Sequence, residues 1–342
     1  MINTTHPKPS QTNPVKAVGL ISGGLDSTLA AQVVKDLGVD VYGVYFSMPW
    51  GCCDKTQAIE AAQKLGIKFI VLQLDERYLE IVRKPKYGYG SVLNPCVDCR
   101  IHMFSRAAQY MKHLSADFVF TGEILGQRQM SQQRHSLQWI EEGSGLKGRL
   151  LRPLCAQLME ETIPEKEGLI DRNKLLALNG RSRKEQLRLA WEYNIKEFSA
   201  PAGGCLLTDN NFATRMKDTL KHGYRNFRET VALKWGRHFR VNESIKFILG
   251  RDAEENISLI RYAHADDIIM QLPDNLGPTL IIKGNNISAD ILKTGAGLIQ
   301  RFSKYKNAPP IDATYWTASN KMDIKTLTAN PINDEWIEQF KV

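Results

Sequence analysis

The chain has 342 residues, 43% of them hydrophobic and 24% charged, and a formal net charge of +8. This length allows two or three domains, and the composition is that of an ordinary soluble protein rather than a disordered or fibrous one. No apolar stretch approaches the ~18 residues that span a membrane, and residues 1–14 lack the apolar segment of a signal peptide. We therefore expect a cytoplasmic protein without a membrane partner, in which residues 1–15 form a disordered arm. The basic charge fits a polyanionic partner.

Short apolar runs alternate with helical patterns in the first third of the chain. The predicted elements, in chain order, are a strand at 16–21, a helix at 27–37, a strand at 40–46, a helix at 55–65, a strand at 68–74, a helix at 101–114 and a strand at 117–121. This alternation predicts an α/β domain with a doubly wound parallel sheet and a ligand site at the carboxyl ends of its strands. The polar stretch 122–146 shows no clear periodicity and is interpreted as a solvated loop or a substrate-facing segment. A further helix is predicted at 182–191.

A turn rich in glycine and serine, residues 22–27 (SGGLDS), connects the first predicted strand to the first helix. Paired glycines let backbone N–H groups approach an anion without interference from a Cβ atom. The serine hydroxyls add donors, and the helix N-terminus supplies a favourable dipole. The turn has neither the lysine of a Walker A loop nor the glycine spacing of the dinucleotide fingerprint. It therefore predicts a phosphate-binding loop of another type.

The chain contains six cysteines, which in a reducing compartment favour metal or redox chemistry over disulfides. Cys96 and Cys99 form a C-x₂-C pair just ahead of a predicted helix, and a glycine-rich loop presents Cys205. Three thiolates can hold an iron–sulfur cluster that leaves one iron open for a sulfur donor. Alternatively, a persulfide on one cysteine is resolved by another, which requires only Cys99 and Cys205. The third cysteine favours the cluster, and the residues leave both routes open.

The other three cysteines are expected to have no catalytic role. Cys155 follows the apolar run 150–154 and is predicted to be a core thiol. Cys52 and Cys53 are adjacent, so their side chains do not easily share one centre, and we interpret them as structural.

A basic region covers residues 215–251, with ten Lys or Arg residues and three Asp or Glu residues. Short strands are predicted beyond Leu233, at 244–249, 268–272 and 279–283, so the pattern of the first domain ends near residue 224. We expect domains at 16–223 and 224–315, the second a smaller α+β domain, and a C-terminal tail at 316–342. Charge runs are usually solvated faces. Next to a site that acts on RNA, this one becomes a phosphate-contacting surface, with Arg237, Arg240 and Arg251 as candidate contacts.

SGGLDS resembles the PP-loop of ATP pyrophosphatases. Together with GVYF at 43–46, NPCVDC at 94–99, DFVFTGE at 117–123 and LRPL at 151–154, it is similar to the ordered motifs of the tRNA thiouridine synthetases of that superfamily. The resemblance covers residues 16–220. It implies a tRNA sulfurtransferase that adenylates a uracil carbonyl oxygen with ATP and Mg²⁺ and replaces that oxygen by sulfur. It also implies that the ATP phosphates are held by Ser22, Gly23, Gly24, Asp26 and Ser27, with Asp26 catalytic and Gly122 in a second nucleotide-side turn.

The C-x₂-C pair with one distant cysteine is similar to the family branch that carries a [4Fe-4S] cluster on three cysteines. This implies Cys96, Cys99 and Cys205 as ligands, Cys99 and Cys205 as catalytic residues, and a cysteine desulfurase or sulfide as sulfur donor. Residues 236–240 (GRHFR), 250–252, 255–256 and 277–279 resemble the RNA-binding domain of NFACT-type proteins, which implies that the second domain binds tRNA. Whether the protein forms a homodimer is left open.

The expected product is 4-thiouridine, because the C-terminal β-barrels of the wobble-position 2-thiouridine enzymes are not recognisable here. One alternative is 2-thiouridine synthesis by a persulfide relay between cysteines. Another is a PP-loop ligase resembling amidotransferases that acts on a small molecule, which needs neither three cysteines nor a basic C-terminal domain. A non-enzymatic RNA-binding protein has no reason to keep Asp26 with the paired glycines.

Overall fold

The computed structural model describes residues 14–51, 55–198, 205–224, 226–273 and 277–342. The chain divides into two compact units, one that ends at Cys205 and one that runs from Leu206 to Val342. Most of the predicted N-terminal arm, residues 1–13, lies outside the described residues, as do Cys52 and Cys53. Among the residues described, no helix combines the length and the apolar character that a membrane crossing requires.

The first unit is built on a five-stranded sheet with the order β3-β2-β1-β4-β5, and all its neighbouring strands are parallel. The strands are β1 (Lys16–Leu20), β2 (Asp40–Ser47), β3 (Lys68–Gln73), β4 (Phe118–Thr121) and β5 (Leu150–Leu151). The helices are α1 (Leu25–Asp36), α2 (Lys55–Leu65), α3 (Arg77–Arg83), α4 (Cys96–His113), α5 (Arg134–Gly143), α6 (Ile163–Lys166) and α7 (Lys184–Glu192).

Both faces of this sheet are covered by helices. Successive side chains of a strand point to opposite faces, so Ala17 and Phe118 pack in one buried cluster with residues of α1 and α7. Val18 and Val119 belong to a second cluster with residues of α4 and α5. The predicted doubly wound α/β fold is therefore confirmed. The strand order reverses between β1 and β4, which is where folds of this kind bind their ligands.

Two elements of this unit differ from the sequence-based prediction. Helix α4 begins at Cys96 and not at residue 101, because the buried Asp98 side chain accepts backbone hydrogen bonds from Lys86 and Tyr87 and so fixes the first turn. Both cysteines of the C-x₂-C pair thus lie on the helix. Helix α5 lies within the stretch 122–146, which showed no clear periodicity, because it buries only a short apolar stripe that contains Leu137 and Ile140.

The second unit contains a six-stranded antiparallel sheet with the order β11-β10-β8-β9-β7-β6. Its strands are β6 (Arg237–Arg240), β7 (Lys246–Leu249), β8 (Ile268–Gln271), β9 (Leu280–Lys283), β10 (Asp312–Thr317) and β11 (Asn320–Thr328). Its helices are α8 (Asn210–His222), α9 (Ala253–Tyr262), α10 (Ala289–Arg301) and α11 (Asp334–Phe340). The smaller α+β domain expected in the C-terminal part is thereby confirmed.

The limits of this unit differ from those expected. The unit begins at Leu206, ahead of residue 224, and it includes α8, whose Asp218 pairs with Arg240 of β6. Residues 316–342 supply β11 and α11 in place of the expected tail. The Trp336 ring of α11 lies 5.7 Å from the Phe239 ring, so this end of the chain is part of the unit's core.

Candidate functional site

The loop 22–27 is ordered by its own hydrogen bonds. The Ser22 N–H donates to the Ser27 hydroxyl at 3.2 Å, and that hydroxyl donates to the Gly24 carbonyl at 2.9 Å. Gly23 has a φ of +76°, and a Cβ atom there would lie 2.6 Å from the backbone nitrogen of Ala58. Glycine is therefore required at this position. The loop is held in one shape, which favours the binding of a ligand without reorganisation.

The end of β4 packs directly against this loop. A Cβ atom on Gly122 would lie 2.6 Å from the Asp26 carbonyl oxygen and from the Ser27 nitrogen. The structure thus brings together the predicted nucleotide-site residues at the reversal of the strand order, namely Ser22, Gly23, Gly24, Asp26, Ser27 and Gly122. That these residues bind ATP stays a prediction.

The Asp26 carboxylate is the central charged group of this region. Its Oδ2 atom accepts a hydrogen bond from Gln127 Nε2 at 3.0 Å. Its Oδ1 atom is buried and has no hydrogen-bond partner among the residues described. Burial raises the pKa of Asp26, while a hydrogen bond from Gln127 and the charges of Arg183 and Arg128 act to lower it. A buried, unpartnered carboxylate oxygen fits a site for a hard cation such as Mg²⁺.

Two of the three predicted cluster cysteines share a neighbour, Tyr78. This side chain is fully buried and stacks on Trp50, with ring centroids 5.6 Å apart. Burial raises the pKa of Tyr78 well above its ordinary value, and the nearby Cys99 and Cys205 thiols raise it further. Tyr78 is therefore within electrostatic range of Cys99 of α4 and of Cys205 at the end of the unit. The glycines that precede Cys205 lie outside the described residues.

Cys96 is connected to the nucleotide side through a buried ion pair. The Arg100 guanidinium donates to the Cys96 carbonyl at 3.4 Å and pairs with Glu123 at 2.8 Å. Glu123 directly follows Gly122 and also pairs with the buried Arg152 at 3.2 Å. The first turn of α4 is thereby tied to the end of β4.

In the described ranges, no three His, Cys, Asp or Glu side chains are grouped so that they could hold a metal ion. The assignment of Cys96, Cys99 and Cys205 as cluster ligands stays a prediction. Cys155 is fully buried, and burial raises the pKa of its thiol. The expectation that it is a core thiol is confirmed.

The three candidate RNA-contacting arginines all have partners within the second unit. Arg240 donates to both carboxylate oxygens of Asp218, at 2.9 and 2.8 Å. Arg251 pairs with Glu255, and the Arg237 guanidinium lies 4.7 Å from the centre of the Phe302 ring. Their contact with RNA stays a prediction.

Lys246 of β7 reaches the same carboxylate as Arg240, with its Nζ atom 2.8 Å from Asp218 Oδ2. Although burial raises it, hydrogen bonding to Arg240 and the charge of Lys246 hold the pKa of Asp218 well below its ordinary value. Burial in turn lowers the pKa of Lys246 to about 8. These three residues form an internal charge cluster of the second unit.

Sequence reasoning missed several groups around the site. Gln127 and Arg128 belong to the stretch that was interpreted as a loop or a substrate-facing segment, and its Gln- and Arg-rich composition was the available signal. Arg183 and Gln186 approach Asp26 from the region of α7, and Tyr78 approaches the cysteines from α3. No local motif marks these three positions, because they meet the site only through the fold.

Two family models match separate parts of the chain. Residues 15–143 match the one described as tRNA methyl transferase HUP domain, and residues 236–341 match the one described as NFACT protein RNA binding domain. The tRNA-specific 2-thiouridylase MnmA of Tropheryma whipplei (strain Twist) is 36% identical over 121 residues, which cover 32% of this chain and 34% of that protein. The chain thus spans about a third of the length of the curated relatives it matches.

Solved structures are similar at lower identity. The U34-tRNA thiolase NcsA from Methanococcus maripaludis, solved with its [4Fe-4S] cluster, is 15% identical with a TM-score of 0.33, covering 64% of this chain and 71% of that one. A 4-thiouridine synthetase in complex with RNA and bound ATP is 21% identical with a TM-score of 0.32, covering 53% of this chain and 52% of that one. The resemblances of the first unit to the PP-loop tRNA-thiolating family and of the second to the NFACT-type RNA-binding domain are confirmed by the two family models and the curated relatives.

Proposed function

We propose that this chain, whose first unit is related to tRNA-specific 2-thiouridylases, is an ATP-dependent tRNA sulfurtransferase. In this proposal the first unit activates a uracil carbonyl with ATP, and the second unit binds the tRNA. One observation carries it: the SGGLDS loop closes against Gly122 and leaves the Asp26 Oδ1 atom buried and without a hydrogen-bond partner in the described residues. A glycine-rich loop of this kind, with a carboxylate oxygen that can coordinate a cation, fits a nucleoside triphosphate.

The chemistry explains the need for ATP. A uracil carbonyl oxygen is a poor leaving group. When it attacks the α-phosphorus of ATP, a new P–O bond forms and pyrophosphate departs with the electron pair of the broken bond. Sulfur then attacks the activated ring carbon, and the former carbonyl oxygen leaves as part of AMP. The backbone donors of the loop and the α1 N-terminus would neutralise the phosphate charge, and Mg²⁺ held by Asp26 would add to this.

Two finer points belong to the same proposal. The product is 4-thiouridine, and Cys96, Cys99 and Cys205 hold a [4Fe-4S] cluster. When bound, such a cluster would supply an iron atom with an open coordination position at which sulfide is activated. The number of cysteines supports this route, because a persulfide relay needs only Cys99 and Cys205 and gives Cys96 no function.

A second candidate is 2-thiouridine synthesis by a persulfide relay. It is favoured by the electrostatic effect of both Cys99 and Cys205 on Tyr78, which puts the two thiols in one region of the first unit, and by the activity that the names of the curated relatives state. In this reaction the outer sulfur of a Cys persulfide attacks the activated carbon, and the C–O bond breaks as AMP departs. The second thiolate then attacks the inner sulfur, which releases the thiocarbonyl and leaves a Cys99–Cys205 disulfide for an external thiol to reduce.

Two comparisons of cellular tRNA test the proposal. Nucleoside mass spectrometry of tRNA from a deletion strain should show the loss of one thiouridine, and its restoration by the wild-type gene but not by an Asp26→Ala variant. Unchanged thiouridine levels would refute tRNA thiolation and favour a ligase for a small molecule. The position of the missing sulfur distinguishes 4-thiouridine from 2-thiouridine.

Anaerobic purification distinguishes the two sulfur routes. Absorbance at about 400 nm together with bound iron and sulfide is expected for the cluster. A colourless, iron-free protein that remains active would refute the cluster and favour the persulfide relay.

A further inference from the structure

Two segments that are far apart in sequence are joined near Asp26. Leu125 and Asn179 form an isolated parallel β-bridge, and the Gly180 N–H donates to the Leu125 carbonyl at 2.8 Å. Gly126 has a φ of +74°, and a Cβ atom there would lie 3.5 Å from the Gly180 nitrogen. The turn that follows Leu125 is thereby fixed against the segment that leads into α7.

Each of these segments directs polar side chains to the Asp26 carboxylate. Gln127, after the turn, donates to Asp26 Oδ2 at 3.0 Å. Gln186, in the first turn of α7, is only 2% exposed and acts to lower the pKa of Asp26. Burial raises the pKa of Asp26, and the positive charges of Arg183 and Arg128 both act to lower it. Two arginines from separate segments therefore lie within electrostatic range of one carboxylate.

In the described part of the chain, neither arginine side chain stabilises the fold through an ion pair or a hydrogen bond. Arg128 is exposed and Arg183 is half-buried. Between residues 14 and 342, leaving aside the undescribed positions, neither guanidinium has an ion pair or a side-chain hydrogen bond. Two guanidinium groups whose charges act on the carboxylate of this loop are a strong attractor for a polyvalent phosphate, because each offers a planar pair of N–H donors to its oxygens.

We propose that Arg128 and Arg183 form a clamp for the pyrophosphate part of ATP. The clamp rests on the proposed function and names the groups that hold its leaving group. As the bond from the α-phosphorus to the bridging oxygen breaks, negative charge accumulates on the departing pyrophosphate. Cations placed at that position stabilise the transition state more than the bound substrate. The Leu125–Asn179 bridge sets the distance between the two arginine-bearing segments.

Isothermal titration of the full chain with inorganic pyrophosphate and with AMP, both in the presence of Mg²⁺, tests the clamp. Arg128→Gln and Arg183→Gln should each lower the affinity for pyrophosphate by about 10-fold, the value of one charge-assisted contact at a partly exposed site. Their affinity for AMP should stay unchanged, because AMP lacks the two phosphates that the clamp holds. Arg181→Gln is the matched control, since Arg181 is exposed on the same segment and is not among the main charges that shift the pKa of Asp26.

The outcomes separate this inference from the proposed function. Wild-type affinity for pyrophosphate in both clamp variants would overturn the clamp and leave tRNA thiolation intact. Weaker tRNA binding with unchanged pyrophosphate binding would assign the arginines to RNA phosphates and overturn the clamp as well. A wild-type protein that binds neither pyrophosphate nor ATP would overturn the proposed function itself. If a glutamine variant fails to fold, Arg128→Lys and Arg183→Lys, which keep the charge, should retain part of the affinity.

Discussion

Replacing Gly122 by alanine should disable the nucleotide site without unfolding the first unit. The new Cβ atom would lie 2.6 Å from three backbone atoms of Asp26 and Ser27, where an ordinary contact begins at 3.4 Å. The loop or the end of β4 must therefore move by about 0.8 Å, and no flexible side chain can absorb the shift. Overpacking of this kind costs about 1–3 kcal/mol. Because displacements near 1 Å can reduce a rate by about 10²-fold, activity should fall far more than stability.

The assay is ATP-dependent pyrophosphate release with tRNA present, read beside the melting temperature. Gly122→Ala should release pyrophosphate roughly 10²-fold more slowly, with a melting temperature lowered by only ~2–4 °C for each kcal/mol. The matched control is Gly143→Ala, whose Cβ atom would meet the flexible end of the Ile101 side chain at 2.9 Å. A Gly122→Ala enzyme with the wild-type rate would show that the contact between β4 and the loop does not position the reacting groups.

The other predictions follow from the same contacts. Asp26→Ala should abolish pyrophosphate release and leave tRNA affinity within about 2-fold in a filter-binding assay, because Asp26 acts on the nucleotide. Cys96→Ala should lose both iron and thiolation activity while Cys155→Ala keeps both; an iron-free but active Cys96 variant contradicts the cluster. Arg240→Gln should destabilise the second unit by about 2 kcal/mol in urea unfolding, because it removes a two-point contact to a buried carboxylate. Since burial lowers the pKa of Lys246 to about 8, the unfolded chain binds that proton more tightly above this pH. Stability should therefore rise from pH 8 toward 10, and Lys246→Met should lose the rise.

The sequence was sufficient for the fold and for the centre of the candidate site where the signal is local. Apolar patterns in the sequence specify β1 and α1, and SGGLDS lies between them. The phosphate-binding loop and its place at the carboxyl end of β1 could therefore be predicted from residues that are neighbours in sequence. Helix α5 was not predicted, because only three of its ten residues, Leu137, Trp139 and Ile140, are apolar. The prediction that residues 316–342 form a tail was also wrong, because these residues give a weak local signal. Strand β11 is exposed along nearly its whole length, so its apolar residues do not mark a buried face.

The rest of the site depends on contacts between distant residues, which a linear pattern does not encode. Arg183 reaches Asp26 because the Leu125–Asn179 bridge joins two segments, and Tyr78 reaches Cys99 because α3 and α4 pack together. Neither position has a motif of its own. The glycine at 122 was predicted from resemblance, but its physical reason, the absence of space for a Cβ atom, appears only once β4 lies against the loop.

The basic region 215–251 shows why a count of charges does not locate a binding surface. Asp218 is one of the few acidic residues in that region, and it forms ion pairs with Arg240 and Lys246. These two cations therefore stabilise the fold of the second unit, which makes them less available to an external phosphate. A phosphate group would have to compete with the Asp218 carboxylate for Arg240 and Lys246, and these ion pairs are strong because water hardly screens them. Cations of the same run that stay exposed, Lys217 and Lys221 on α8, are subject to no such competition. If the second unit binds RNA as proposed, contacts with the RNA backbone, which draw their free energy from counterion release, would therefore be favoured on the exposed side of α8 over the Asp218 cluster.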